Sequence, residues 1–244
     1  MTTEGSAERL SVTLDWLDRG TELFETQLDL LSDEDLLEPS RLPGWTRLHV
    51  VSHQARNARA LMNLLRWAET GVETPMYPTP EHRREDIEAG AQLPADEVRA
   101  DALSEAVRLR DAISAMPEEA WAAQVRTALG RAVPASEVPW MRVREVWVHA
   151  VDLGARATFS DIDQEVAAAL LDEVVVSFRT REGVPSVVLV ATDATGAPRA
   201  IGPDASDPQE ARGSTQALAG WLLGRTAGAG VQSSAPLPDL PPWL

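Results

Sequence analysis

Four stretches of this chain repeat apolar residues at helical spacing, with proline- or glycine-bearing breaks between them. They run over residues 6–31, from Thr46 to about Thr70, over "ADEVRADALSEAVRLRDAISAM" from Ala95, and from Val138 to Arg156. "EPSRLPGW", the proline-broken "GVETPMYPTP" and the irregular "AQVRTALGRAVPASEVP" separate them. A helix with one apolar stripe must bury it against a partner, and several such helices joined by short breaks pack as an antiparallel bundle. Ser32 ahead of two acids in "SDEDL" supplies capping chemistry after the first helix.

After "ATFSDID" the pattern changes. "EVAAALLDEVVVSFRTRE" reads as a helix and "PSVVLVATD" as a short strand, with "APRAIGP" as its hairpin partner. Ser214 or Thr215 can cap a last helix, "TQALAGWLLG", which Gly224 ends. A proline-rich tail follows. The expected fold class is therefore α+β: a helical bundle over residues 1–157, then a small α+β domain over 158–244.

Composition narrows the chemistry. The chain has no cysteine and no lysine, and all 22 of its basic residues are arginine. Disulfides, a cysteine nucleophile, a Schiff-base lysine and a P-loop lysine are excluded. No serine sits in a G-x-S-x-G elbow and no G-x-G-x-x-G follows a strand. A net charge of −16 opposes a nucleic-acid or anionic-membrane surface. No apolar run is long enough to span a bilayer, and the N-terminus lacks the basic and apolar regions of a secretory signal. The expectation is a cytoplasmic protein working with carboxylates, arginines and four histidines.

Two of those histidines, His49 and His53, lie four apart on the second helix. They lack the glutamate that an H-E-x-x-H metalloprotease uses as base. By helical spacing Ser52, Arg56, Arg59, Asn63 and Arg66 form the wet side, and His53 falls with Val50, Asn57 and Leu64 at the edge of the core arc. A hydrogen-bonded histidine at a core margin is the plain reading of His53.

The fourth helix poses the sharper question. Arg142, Glu145, His149, Asp152 and Arg156 line one stripe of an otherwise apolar segment. Periodicity alone makes that stripe a solvent face. The breadth of the apolar remainder, which includes Trp140, Val143, Trp147 and Val151, fits a central helix whose polar stripe faces inward. Glu145 and His149, one turn apart, could then grip one metal ion. His53 is the natural third ligand, and two histidines with one carboxylate and an open position suit catalytic zinc or non-haem iron. Asn57 and Asp152 would support the ligands. Residue spacing leaves both readings open.

The segments "LPGWTRLHVVSHQARNARAL", "NLLRWAETGVETPMYPTPEHRREDIEAG", "VPASEVPWMRVREVWVHAVDLG" and "LAGWLLGR" together resemble the mycothiol-dependent maleylpyruvate isomerases, within the DinB-like helical-bundle group. The likeness is strongest over residues 42–92 and 133–156. It implies a DinB-like four-helix bundle that holds zinc through His53, Glu145 and His149, with His49 not a ligand. It also implies a C-terminal α+β domain contributing an essential arginine, Arg225 in "LLGRTAG". The implied cofactors are zinc and mycothiol, and the implied protein is a monomer.

The reaction implied is conversion of maleylpyruvate to fumarylpyruvate, a step of gentisate breakdown. A thiolate adds to the activated alkene, the single bond turns, and the thiolate leaves. The cysteine-free chain must borrow that thiol. Zinc would lower the thiol pKa, and Arg225 would stabilise the enolate or hold a substrate carboxylate. Arg83 in "EHRRED" is a second carboxylate-binding candidate. The alternatives are a mycothiol S-transferase acting on another electrophile and a non-enzymatic metal-binding regulator.

Overall fold

A computed structural model describes residues 3–179 and 181–243, with the side chains of residues 3–7 left aside. The chain divides into two compact units, Met1–Arg156 and Ala157–Leu244. The fold is α+β.

In the first unit the long helices are α1 (Thr3–Asp29), α3 (Arg47–Thr70), α5 (Ala95–Ser114) and α6 (Val138–Asp152). Short α2 (Asp33–Leu37) and α4 (Pro80–Gly90) lie between them in sequence. The α1 helix packs on α6, and α3 packs on both α5 and α6, giving an antiparallel four-helix bundle. Its interior is filled by Leu17, Phe24 and Leu28 of α1, Leu48, Val51, Leu61 and Leu64 of α3, Val98, Leu109 and Ile113 of α5, and Val143, Val146 and Trp147 of α6. Ser32 does cap α2, in a reciprocal capping box with Asp35.

The α1–α6 contact is close because of a missing side chain. A Cβ on Gly20 would lie 2.5 Å from Trp147 Nε1 and 2.7 Å from Val146 Cγ2. The indole N–H of Trp147 donates to the Trp16 carbonyl at 2.9 Å, so the ring cannot easily turn away. Glycine costs the helix about 1 kcal/mol of propensity relative to alanine. The seat it makes for Trp147 is what that cost obtains.

One helix and one hairpin of this unit escape the sequence pattern. The α4 helix buries only Ile87 and Gly90, too little to write a helical period into a charged segment. Strands β1 (Gln124–Arg126) and β2 (Ala132–Pro134) form a two-stranded antiparallel hairpin in the region read as irregular. Each buries one residue fully, Val125 or Val133, and three residues are too few to show alternation.

The second unit contains α7 (Gln164–Phe178), β3 (Val187–Ala191), β4 (Arg199–Ile201), β5 (Gln209–Gly213), α8 (Thr215–Leu222) and β6 (Gln232–Ser233). The sheet runs β4-β3-β5-β6. The expected β3–β4 hairpin forms, with Val187 opposite Ile201. Strand β5 adds in parallel beside β3, which the polar "QEARG" gave no sign of. Helix α7 packs on α8, and both bury apolar side chains including Leu170, Phe178, Leu218 and Trp221. Ser214 caps α8, and Asp193 accepts from the Thr215 backbone at 2.9 Å and hydroxyl at 2.8 Å. No helix among the described residues is long and apolar enough to cross a membrane.

Replacing Gly20 by alanine should destabilise the protein by roughly 1–2 kcal/mol, because overpacking at Trp147 outweighs the gain in helix propensity. Thermal unfolding of the Gly20→Ala variant measures this; an unchanged or higher midpoint would contradict the packing described.

Candidate metal centre

Helix α3 begins at a cap that also disposes of a histidine. Thr46 Oγ1 accepts from the His49 backbone at 3.4 Å, and the Thr46 backbone N–H donates to His49 Nδ1 at 3.2 Å. With Nδ1 accepting, His49 presents its proton on Nε2, which faces Glu88 Oε2 at 3.3 Å. Both nitrogens of His49 are therefore occupied, and it takes no part in the cluster one turn further on.

That cluster is His53 of α3 with Glu145 and His149 of α6. Their ligand atoms all lie within 4.8 Å of one another, and His53 and His149 are buried while Glu145 is half-buried. Glu145 Oε2 lies 2.8 Å from His53 Nε2 and 3.1 Å from His149 Nε2. The two imidazole rings stand perpendicular, 4.9 Å between centroids. The polar stripe of α6 faces inward: Arg142, His149 and Asp152 are all buried. Its breadth of apolar surface, and not its period, was the informative signal.

The protonation states follow from who faces whom. His149 Nδ1 lies 2.9 Å from Asp152 Oδ2, and its Nε2 faces Glu145, so both nitrogens look at carboxylate oxygens and both must donate. Burial would lower its pKa, but the hydrogen bonds and charges of Asp152 and Glu145 outweigh burial and raise it to about 9. His53 is the opposite case. Burial brings it down to about 4 against the pull of Glu145, so it is neutral and donates from Nε2. Burial alone would raise Glu145; His53 and His149 hold it well below the ordinary carboxylate range.

Two nitrogens and one carboxylate converging from two helices form a donor set that fits a divalent cation. It matches the two-histidine, one-carboxylate set of catalytic zinc sites, which leaves one position for a further ligand. Non-haem iron uses the same donors. His53 Nδ1 is buried and has no hydrogen-bond partner, so packing orients this ring: Trp45 stands edge-on to it at 5.6 Å. His149 is oriented by Asp152 instead, in the manner of a carboxylate behind a metal-binding histidine.

What keeps the two helices in register is a pair of reciprocal buried hydrogen bonds. Gln54 Nε2 of α3 donates to the Glu145 carbonyl of α6 at 3.2 Å. Arg142 Nη1 of α6 donates back to the Gln54 carbonyl at 2.9 Å and to Asn57 Oδ1 at 2.8 Å. Asn57, expected beside the ligands, thus serves the brace and not a ligand ring. Arg142 is only 3% exposed, and burial depresses its pKa to about 10, so it remains charged. Its positive charge reaches Glu145 one turn along.

Helix α4 closes one side. Ser52 Oγ donates to the Ile87 carbonyl at 2.9 Å, and Gly90 packs against Ser52 and Arg56. Ser52, assigned to the wet side of α3, is fully buried because α4 lies over it. Arg83, one turn before Ile87, has its guanidinium carbon 5.8 Å from the Tyr77 ring centroid. Its charge reaches His53. Arg225 belongs to the second unit, directly after Gly224, which takes a φ of 69°. Its backbone N–H donates to the Gly220 carbonyl at 2.9 Å and its Nη1 to the Leu223 carbonyl at 3.0 Å. A cleft of about 720 Å³ along the later turns of α3 and of α5 shares no residue with the cluster.

Sequence reasoning missed Gln54, Tyr77 and Trp45. Gln54 sits beside His53 with no distinguishing pattern. Trp45 and Tyr77 both lie in proline-bearing breaks, where a large aromatic residue is itself a signal of packing against something.

The sequence model described as the mycothiol maleylpyruvate isomerase N-terminal domain matches residues 17–154. A crystal structure of a mycothiol-dependent maleylpyruvate isomerase is similar over nearly the full length. It is 40% identical, with 96% of this chain and 97% of that chain covered and a TM-score of 0.91. A crystal structure of a histidine-to-alanine mutant of such an isomerase is 39% identical with the same coverage and TM-score. The chain matches no curated protein sequence.

Two outcomes follow from the cluster and its brace. Because His149 holds a proton up to about 9, a cation arriving at pH 7.5 must displace it, releasing about one proton per ion. Affinity should rise with pH and level off above about 9; zinc calorimetry in buffers of different ionisation enthalpy measures the release, and a zero slope would exclude it. Arg142→Met should weaken zinc binding by about 10–100-fold in chelator competition, the range for residues supporting metal ligands. Unchanged affinity would mean that the brace does not position the ligands.

Proposed function

Because the chain belongs to the mycothiol maleylpyruvate isomerase family, we propose that it converts maleylpyruvate to fumarylpyruvate, with zinc held by His53, Glu145 and His149 and mycothiol as the thiol cofactor. The observation that carries this reading is the convergence of those three side chains, two of them buried, on one point between α3 and α6. A regulator would need no such open donor set, and a structural zinc site would close it with a fourth protein ligand.

The chemistry needs a nucleophile that saturates a carbon–carbon double bond for long enough to let it turn. The cofactor thiol supplies that nucleophile and a bound zinc ion the Lewis acidity that keeps its sulfur ionised, and the cysteine-free chain supplies neither. The protein's own residues bind and orient. Glu145 and His149, on one face of α6, and His53 from α3 present Oε2 and the two Nε2 atoms as ligands. Asp152 holds the His149 ring by its Nδ1–H and so leaves Nε2 for the ion. Trp45 packs edge-on against the His53 ring and helps hold its orientation.

The substrate is a dianion and the chain carries a net charge of −16, so arginines at the site must reverse the overall field locally. Arg83 is one such group, supported by the reach of its charge to His53. Arg225 of the second unit is the other, assigned from the resemblance. A guanidinium engages a carboxylate, or the charge that develops on the substrate's ketone oxygen, through paired N–H donors.

The direct test is to mix purified protein with maleylpyruvate, with and without mycothiol, and follow fumarylpyruvate through a coupled hydrolase. Conversion should require the thiol, and Glu145→Ala should lose both bound zinc and turnover. Absence of thiol-dependent conversion by the zinc-loaded protein would reject the isomerase reading; full zinc retention by the Glu145 variant would remove that ligand.

A further inference from the structure

Tyr77 and Arg83 stand beside the cluster with hydrogen-bonding capacity that the protein does not use. Helix α4 is docked over the early turns of α3 by Ser52 Oγ on the Ile87 carbonyl and by His49 against Glu88. Arg83 and Ile87, four residues apart, share the α4 face that meets α3. Arg83 is flanked in sequence by Glu81, Glu85 and Asp86, yet among the described residues it makes no ion pair with any carboxylate. It lies instead near Tyr77, its guanidinium carbon 5.8 Å from the ring centroid, and its charge acts on the phenol oxygen.

Tyr77 sits in a loop whose path is restricted by Pro75, Pro78 and Pro80, and Asn63 Nδ2 donates to the Pro75 carbonyl at 3.3 Å. The phenol is half-buried, and burial keeps it protonated. The charges of Glu145 and Arg142 reach it, which puts it on the side of the metal ligands. An arginine can donate to the phenol oxygen but cannot accept from it. The phenolic proton therefore points elsewhere, and no described residue takes it. A guanidinium with no carboxylate and a phenol with no acceptor, next to each other at a cation site, form an incomplete anion site.

We infer that Tyr77 and Arg83 form the seat for one carboxylate of the substrate, the hydroxyl donating to one oxygen and the guanidinium to the other. This rests on the reading of the substrate as a dicarboxylate. Tyr77 then fixes the distance between that carboxylate and the ion held by His53, Glu145 and His149, and it discriminates against substrates that lack the group. A buried hydroxyl left without its acceptor penalises the analogue more than a lost apolar contact would.

Tyr77 is the only tyrosine in the chain, so a tyrosine-specific signal reports on this seat alone. The full-length, zinc-loaded protein is labelled with ¹³C at the tyrosine ring carbon that bears oxygen and titrated with maleate, a dicarboxylate probe. The single resonance should move and saturate. Tyr77→Phe and Arg83→Gln should each weaken maleate binding by about tenfold or more with zinc content unchanged, the loss expected for a hydrogen bond to a charged group. A resonance that stays still while calorimetry detects maleate binding, or a Phe variant that binds maleate as tightly as the parent, or no maleate binding at all, would overturn the seat. If the resonance and both variants behave as expected but maleylpyruvate is not isomerised, the seat stands and the proposed reaction fails. If Tyr77→Phe isomerises maleylpyruvate with unchanged kcat/KM, the reaction stands and the seat fails.

Discussion

The buried exchange of hydrogen bonds between α3 and α6 is the constraint on which the rest of this protein turns. Gln54 reaches across to the Glu145 carbonyl, and Arg142 reaches back to the Gln54 carbonyl and to Asn57. Apolar packing alone would tolerate small sliding of one helix on another, because it is not directional. These bonds are directional, and Gln54, Asn57 and Arg142 are sealed from water, so a slip would leave buried polar groups unpaired at a cost of about 1–3 kcal/mol each. The ligand geometry inherits that stiffness, since His53 precedes Gln54 and Glu145 carries the accepting carbonyl.

The electrostatics of the site follow from the same arrangement. A buried arginine, a buried aspartate, a half-buried glutamate and two buried histidines share a small volume, and each is tolerated because of another. Arg142 offsets Glu145, Asp152 offsets His149, and the neutral His53 asks for no counter-charge. Among the described residues of this region, His53 Nδ1 and Gln54 Oε1 are buried atoms that no protein group satisfies. Buried polar atoms without partners are uncommon and tend to mark working sites.

The bundle was legible in the sequence because its four long helices each bury a stripe, and burial writes a period. The helix bearing Glu145 and His149 was ambiguous for the same reason: a polar stripe looks alike whether it meets water or a metal. The broad apolar remainder around Trp147 left both cases open, and it was the ordered resemblance to known isomerases that turned the stripe inward and made His53 the third ligand. Helix α4 left no such trace, since it buries little beyond Ile87 and Gly90. Missing it put Ser52 in water, when α4 covers it, and hid the setting of Arg83. Gln54 was illegible because what matters about it is a partner distant in sequence, and Tyr77 because its partner Arg83 sits on the same traceless α4.

The thin anchoring of α4 has a further consequence, in motion. Elements with few buried apolar contacts open at lower free energy than the core they cover. Helix α4 rests on one isoleucine, one close-packed glycine and a few polar contacts, whereas α3 beneath it is buried along most of its length. The wall beside the ligands thus costs less to lift than the helix it covers. A guest too bulky to thread between packed helices would find its way in by displacing α4, while the register of α3 and α6 stays undisturbed.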